Sequence, residues 1–362
     1  LTDPGSASVI YAGGLTGDLT VAATAALADL ILVAGSGVLD LTLGATTADT
    51  DITGSIDDDV VDASTVTTGD VSFDGLAGDD ELTILSSSAG TVTFDGGDDT
   101  DTLVLGAAAD LSDTTVTLTD VEAIDLAASA TISADVLDGE TYTITGAGVT
   151  TSTLTVQLDD GGDTADLSSL DASDSVTTGA AFEIIGGTGD DTIIGTDFAD
   201  TIEGGLGDDS LTGGDGADVF TYTALADGGT AEVIADFDSA SDFIALSAAV
   251  FILGTAGTTP TNAVGAQATG TVAATLVFSG ASLEAFTEGN SATFSLGLGT
   301  FAVLFIDTDG SDAGLYYVTG SVSAIALTSA SAGFTGTAGP VAQLIALDGA
   351  GGGILATNIV LI

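Results

Sequence analysis

Four aspartates, Asp191, Asp200, Asp209 and Asp218, stand nine residues apart, each behind a glycine-rich stretch. The chain from Gly186 to Thr221 reads GGTGDDTII, GTDFADTIE, GGLGDDSLT and GGDGADVFT, four nine-residue units in unbroken register. Glycines at positions one, two and four let the backbone turn with positive φ and aim carbonyls at one spot. The sixth position is the aspartate. The eighth, Ile193, Ile202, Leu211 or Phe220, sits mid-strand, where one side chain points inward and its neighbours outward. One unit is therefore one turn plus one strand, and two units make a coil. Asp191 should lie near Asp209, and Asp200 near Asp218. Stacked strands are roughly 4.8 Å apart, and two carboxylates at that spacing repel by about 3 kcal/mol at an effective dielectric near 20. A cation between them relieves the repulsion. An all-oxygen donor set of carboxylates and carbonyls suits a hard ion, and favours calcium over zinc or copper. The alternative is an Asp/Gly-rich solenoid turn that holds no ion.

The elements that must position these groups follow G-G-x-G-x-D-x-U-x, and here the chain resembles the RTX (repeats-in-toxin) family of calcium-binding parallel β-rolls. The resemblance implies several bound Ca2+ ions, held by the aspartates and by carbonyls of the glycine turns. Carried onto this sequence, the implied metal residues are Gly187, Gly189, Asp191, Asp197, Asp200, Gly205, Gly207, Asp209, Gly214, Gly216 and Asp218. The second unit departs from the pattern, with Thr196 and Phe198 where glycines are usual.

Degenerate copies lie upstream. GLAGDDELT (75–83) keeps Asp80 and GGDDTDTLV (96–104) keeps Asp101, and each reads equally as an ion site or a plain turn. A third fragment, GGDTADLSS (161–169), keeps Asp166 at the sixth position. Their spacing reads as irregular, as in separate coils of a looser solenoid. Residues 115–133 resemble coil segments of RTX-type surface-layer proteins.

The rest of the chain reads as strands. LDLTL (39–43), DVSFDG (70–75), TVTFDGG (91–97) and TYTIT (141–145) alternate apolar and small polar residues, the period-two signal. Only pieces such as Thr20 to Leu32 pass for a helix. After the regular block, EVIADFDSASDFIALS (232–247) predicts a strand, a turn and a second strand that close the roll. Asp236 and Asp242 there read equally as holders of a terminal ion or as a solvated turn. Residues 250–362 carry fewer aspartates and longer apolar strands, such as TLVFSG (275–280) and FAVLFI (301–306). Asp307, Asp309 and Asp312 have calcium-loop spacing without the full loop, so DTDGSDAGLYY (307–317) predicts a hairpin turn, with Tyr316 and Tyr317 on opposite faces. The apolar tail resembles the C-terminal signals of type I secretion and reads equally as a buried last strand. The expected architecture is all-β: a right-handed parallel β-helix or β-roll solenoid, with a degenerate solenoid at 1–185, the calcium roll and its cap at 186–249, and a C-terminal β domain at 250–362.

Composition narrows the function. The 362 residues include no Lys, Arg, His, Cys, Met or Trp, and 54 acidic residues give a formal charge of -54. Nucleic acid and anionic membranes would be repelled. With 45% hydrophobic residues and a mean hydropathy of +0.53, the chain still can bury a core. Neutralisation must come from counterions, which a calcium-rich, saline exterior supplies. Val21 to Leu43 is broken by Asp29 and Asp40 and reads as no membrane helix. Leu1 to Ile10 has neither an initiator Met nor a basic stretch, which reads as a processed N-terminus or a partial chain.

Without His, Lys, Arg or Cys there is no Ser-His-Asp triad, thiol nucleophile, zinc-protease helix or phosphate clamp. Carboxylate chemistry remains, but no pair stands out among so many acids, so the chain reads as a non-enzyme. The leading expectation is a secreted structural protein, a homo-oligomer or polymer of the cell surface that folds when it meets external calcium. A cell-surface glycan is a possible partner, and nucleic acid and membrane insertion are not. The second expectation is an RTX adhesin or the calcium-dependent export domain of a larger secreted protein.

Overall fold

Period-two alternation in short strands puts one apolar face on every strand, and a parallel solenoid buries that face against the next coil. The computed structural model describes residues 8–247, apart from 12, 14–15, 23–29, 45–48, 67, 86–89, 147–151, 173–180, 224–231 and 239. Beyond 247 it describes the strands named below and no side chains. The protein is an all-β solenoid, and the described residues divide into two compact units.

The first unit comprises residues 1–158 and 165–183. Ser8–Tyr11, Leu30–Val33, Thr50–Thr53, Val71–Ala77, Val92–Asp98 and Val116–Thr119 stack in parallel as one sheet. Leu19–Ala22, Leu39–Thr42, Val60–Asp62, Glu81–Ile84, Thr102–Leu105, Ala123–Leu126 and Thr143–Thr145 stack as a second. The strands expected near 39–43, 70–75, 91–97 and 141–145 are therefore present. Leu19–Ala22 and Leu30–Val33 are strands at the two ends of the stretch considered as a helix over 20–32, and residues 23–29 between them lie outside the described residues. Residues 115–133 supply three strands, Val116–Thr119, Ala123–Leu126 and Ala130–Ser133.

The register stacks like on like. Leu41, Val61, Leu82, Leu103, Ile124 and Ile144 follow one another across the second sheet, all fully buried. Leu32, Ile52, Phe73 and Phe94 do the same in the first, and the two rings stack with centroids 5.2 Å apart and planes nearly parallel. Each such side chain contributes about 1.5–3 kcal/mol by leaving water.

The second unit comprises residues 159–164 and 184–362. Thr192–Ile194, Ser210–Thr212 and Val233–Ile234 are parallel, as are Asp200–Glu203, Val219–Tyr222 and Phe243–Leu246. Ile193, Leu211 and Ile234 form one buried column, and Ile202, Phe220 and Ile244 the other. Val233–Ile234 and Phe243–Leu246 are the two strands expected at the end of the roll. Val341–Leu347 then pairs in parallel with the first, and Ile359–Leu361 with the second, so the apolar tail supplies a last solenoid strand. Phe301–Asp307 and Gly314–Gly320 pair antiparallel from Asp307 opposite Gly314, the hairpin expected there. Leu276–Phe278 joins Phe301–Asp307 in parallel, and Ser291–Ser295, Ala324–Ala330 and Gly333–Gly336 form a small antiparallel sheet. Asp309 and Asp312, and the faces taken by Tyr316 and Tyr317, lie outside the described residues and side chains. No helix among the described residues is long and apolar enough to cross a membrane.

Candidate metal centre

The sixth-position aspartate precedes its strand, so stacking the strands also stacks the carboxylates. In the regular block the Asp191 N–H donates to Asp209 Oδ1 at 2.9 Å, and the Asp200 N–H to Asp218 Oδ1 at 3.0 Å, each 18 residues along. These are the two pairs expected from the sequence. Both ladders extend further. Asp163 N–H donates to Asp191 Oδ1 at 2.9 Å, and Asp209 N–H to Glu232 Oε2 at 3.2 Å. Asp218 N–H donates to Asp242 Oδ1 at 3.1 Å.

The first unit holds a third ladder on a longer coil. Leu39 N–H donates to Asp59 Oδ1 at 2.6 Å, Asp59 N–H to Asp80 Oδ1 at 2.7 Å, and Asp80 N–H to Asp101 Oδ1 at 2.8 Å. Asp101 N–H ends on Glu122 Oε2 at 2.8 Å. The steps from Asp59 to Glu122 are each 21 residues, so the copies at 75–83 and 96–104 share one period, while the fragment at 161–169 stands outside it. The fragment near 161 also sits in a different register. Asp163 occupies the ladder, with Ala165 as the buried inward residue, while Asp166 accepts from Ser168 on an exposed turn.

One oxygen of each carboxylate is thus spent on a backbone amide of the preceding coil. The other is left over. The Oδ2 atoms of Asp80, Asp101, Asp191, Asp209 and Asp218 are buried without a hydrogen-bond partner, as is that of Asp163, a half-buried residue. Each Oδ2 of the five lies over a first-position glycine. A methyl on Gly186 would stand 2.7 Å from Asp191 Oδ2 and also strike the Gly204 carbonyl of the next coil, and a methyl on Gly75 would stand 2.6 Å from the Gly96 carbonyl. The space a Cβ would fill is a cradle lined by carboxylate and carbonyl oxygen.

Burial pushes these carboxyls up, and neighbouring carboxylates add to it: Asp80 and Asp218 to about 7, Asp101 and Asp191 to about 6. Burial alone raises Asp200 to about 7, against its hydrogen bonds. Glu232, buried beside Asp209 and receiving the Tyr222 hydroxyl at 3.1 Å, rises to about 9. Such an environment favours either a proton or a cation.

The oxygens fit a hard divalent ion. No three acidic side chains converge on one point among the described residues. An ion would therefore take carboxylates from a ladder and complete its shell from turn carbonyls, as calcium does. The turn glycines are placed for that. Gly187, Gly189, Gly205, Gly214 and Gly216 have φ of +98, +121, +97, +95 and +137 degrees, and the Gly187 and Gly189 carbonyls lie against the α-carbons of Gly205 and Gly207. When bound, the ion supplies the positive charge that lets adjacent carboxylates ionise together.

The other candidates fall outside the ladders or at their ends. Asp197 is exposed on its turn. Asp236 is exposed and spends both oxygens on the Gly213 and Gly214 amides, each at 2.9 Å, which caps that turn. Asp242 ends the ladder of Asp200. Asp59, Asp163, Glu122 and Glu232 were missed by the sequence reading. The 21-residue recurrence of Gly54, Gly75 and Gly96 with Asp59, Asp80 and Asp101 was the signal available for the first of them.

The RTX calcium-binding nonapeptide repeat matches this sequence in four copies, over residues 84–111 and 185–220. The chain carries RTX repeats. The match takes in the turns of Asp101, Asp191, Asp200, Asp209 and Asp218, and these repeats are of the calcium-binding kind. No curated protein sequence matches the chain. Among solved structures, the extracellular lipase LipA from Serratia marcescens matches at 14% identity and a TM-score of 0.24, over 91% of this chain and 45% of that one. The chain therefore spans a little under half of that protein's length.

Proposed function

We propose that this protein is a secreted structural protein whose RTX solenoid folds on meeting external calcium and then self-assembles into a surface layer or extracellular fibre. The observation that carries the reading is the row of buried, unpartnered carboxylate oxygens in a chain without one Lys, Arg or His to answer them. Where free calcium is sub-micromolar the ladders repel and the coils stay loose. Where it is millimolar, binding free energy becomes folding free energy. Two further observations support a structural role: small-residue β composition throughout, and the absence of the side chains that most catalysis uses.

Circular dichroism with calcium and then with excess chelator tests the folding claim. A β signal that collapses in chelator and returns with calcium is expected, and a signal unchanged by chelator rejects it. Electron microscopy at millimolar calcium tests assembly. Ordered sheets or filaments are expected; dispersed folded monomers reject the structural role and leave an adhesin or export module.

A further inference from the structure

Not every sixth-position aspartate leaves an oxygen free. Asp59 Oδ2 accepts the Ser55 N–H at 2.5 Å, and Asp59 Oδ1 accepts the Ser55 hydroxyl at 3.0 Å. Asp200 repeats this arrangement in the other unit: Oδ2 accepts the Thr196 N–H at 2.7 Å, and the Thr196 hydroxyl reaches Oδ1 at 2.9 Å and Oδ2 at 3.1 Å. Each hydroxyl also accepts the amide two residues on, from Asp57 and from Phe198, both at 3.1 Å, which closes the turn on itself. At the end of the Asp200 ladder, Asp242 Oδ2 accepts the Asp238 N–H at 2.7 Å while Asp238 Oδ1 accepts the Ala240 N–H at 2.9 Å. The turns of GSIDDD, GTDFAD and FDSASD share this geometry with little sequence in common.

The contrast lies at the second position of the turn. For Asp80, Asp101, Asp191, Asp209 and Asp218 that residue is Leu76, Gly97, Gly187, Gly205 or Gly214, every one with φ between +81 and +103 degrees. None of their amides hydrogen-bonds the carboxylate below, and all five Oδ2 atoms are buried without a partner. Ser55, Thr196 and Asp238 are absent from the left-handed residues, and in that backbone state the second-position amide points at Oδ2.

We infer that, where the sixth-position aspartate is buried, the second residue of the turn decides whether that turn takes a cation: Ser55, Thr196 and Asp238 close their turns with protein hydrogen bonds and bind no ion, while the five left-handed turns each leave an oxygen for one. Half-buried Asp163, whose Oδ2 is unpartnered although Asp159 is not left-handed, falls outside the rule. This rests on the calcium reading above and assigns its ions to particular coils. Asp59 and Asp200 then stand in ion-free turns, one in each unit, closed by hydrogen bonds alone.

Crystals of the full chain grown in calcium, with anomalous scattering to place the ions, test the assignment. Ions beside the carboxylates of Asp80, Asp101, Asp191, Asp209 and Asp218, with none on Asp59, Asp200 or Asp242, are expected. An ion on Asp59 or Asp200 overturns the inference while leaving the calcium reading intact; no ion at any of the eight overturns both. The double variant Thr196→Gly with Phe198→Gly restores the glycine pattern, and native mass spectrometry should then count one more calcium per chain than in the parent. An unchanged count in a folded variant overturns the inference. Should the variant not fold, the ion map of the parent chain decides.

Discussion

Leu76 and Asp99 hold left-handed backbone, at φ of +81 and +87 degrees, in turns where the regular block has glycine. A side chain in that region costs about 1–2 kcal/mol. Leu76 is 43% exposed, so its side chain contributes little burial to set against the strain. Leu76→Gly should therefore stabilise the calcium-loaded protein by about 1 kcal/mol, less the entropy glycine adds to the unfolded chain. Thermal unfolding in saturating calcium measures it, and a lower midpoint would show that the leucine contributes more than its exposure indicates. These two residues also mark what the sequence could and could not reveal. Both copies were recognisable from their remaining glycines and from Asp80 and Asp101. That a leucine and an aspartate keep the glycine conformation was not, because coil stacking imposes it from outside the nonapeptide.

The coil is the unit at the next scale, and its inward column sets the register. Leu103 is fully buried between Leu82 and Ile124. Leu103→Ala should cost about 2–5 kcal/mol, with the higher values if the neighbouring coils do not close on the gap. Denaturant unfolding in calcium checks it, and a loss under about 1 kcal/mol would mean that the column relaxes freely. The regular block was legible because its coils are 18 residues long and both halves follow one nonapeptide. The first unit's coils vary, with strand partners 20 residues apart at Leu30 and Thr50, 21 at Thr50 and Val71 and 24 at Val92 and Val116, and only part of each coil follows the motif, so alternation revealed its strands but not their stacking. Asp163 shows the same limit. The two glycines of GGDTADLSS set the sequence register, whereas hydrogen bonding to Asp191 sets the real one three residues earlier.

For the molecule as a whole, the raised carboxyls fix the sign of the pH response. Ordinary aspartates titrate near 3.9, while Asp101 and Asp191 are raised to about 6 and Asp80, Asp200 and Asp218 to about 7. Between these values the folded chain holds more protons than the unfolded one, so without calcium stability is greatest near pH 4, falls as pH rises to about 7, and falls further toward about 9 as Glu232 ionises. Calcium-free protein that is loose at pH 7.5 should gain β signal on acidification to pH 5. Circular dichroism across that range reads it directly. A β signal that weakens steadily on acidification would mean that the ladders do not carry the charge burden assigned to them.

The buried ladders also have a direction. In all three, the amide of an earlier coil donates to the carboxylate of a later one, from Leu39 through to Glu122, from Asp163 to Glu232, and from Asp200 to Asp242. Losing coils from the N-terminal side frees a carboxylate, which water or an ion can satisfy. Losing them from the C-terminal side frees an amide, which water alone can satisfy. The exposed turns run the other way, the Asp79, Thr91, Thr100 and Asp208 amides donating back to Asp58, Asp70, Asp79 and Asp190, so a stack that grows from either end meets both donors and acceptors already in place.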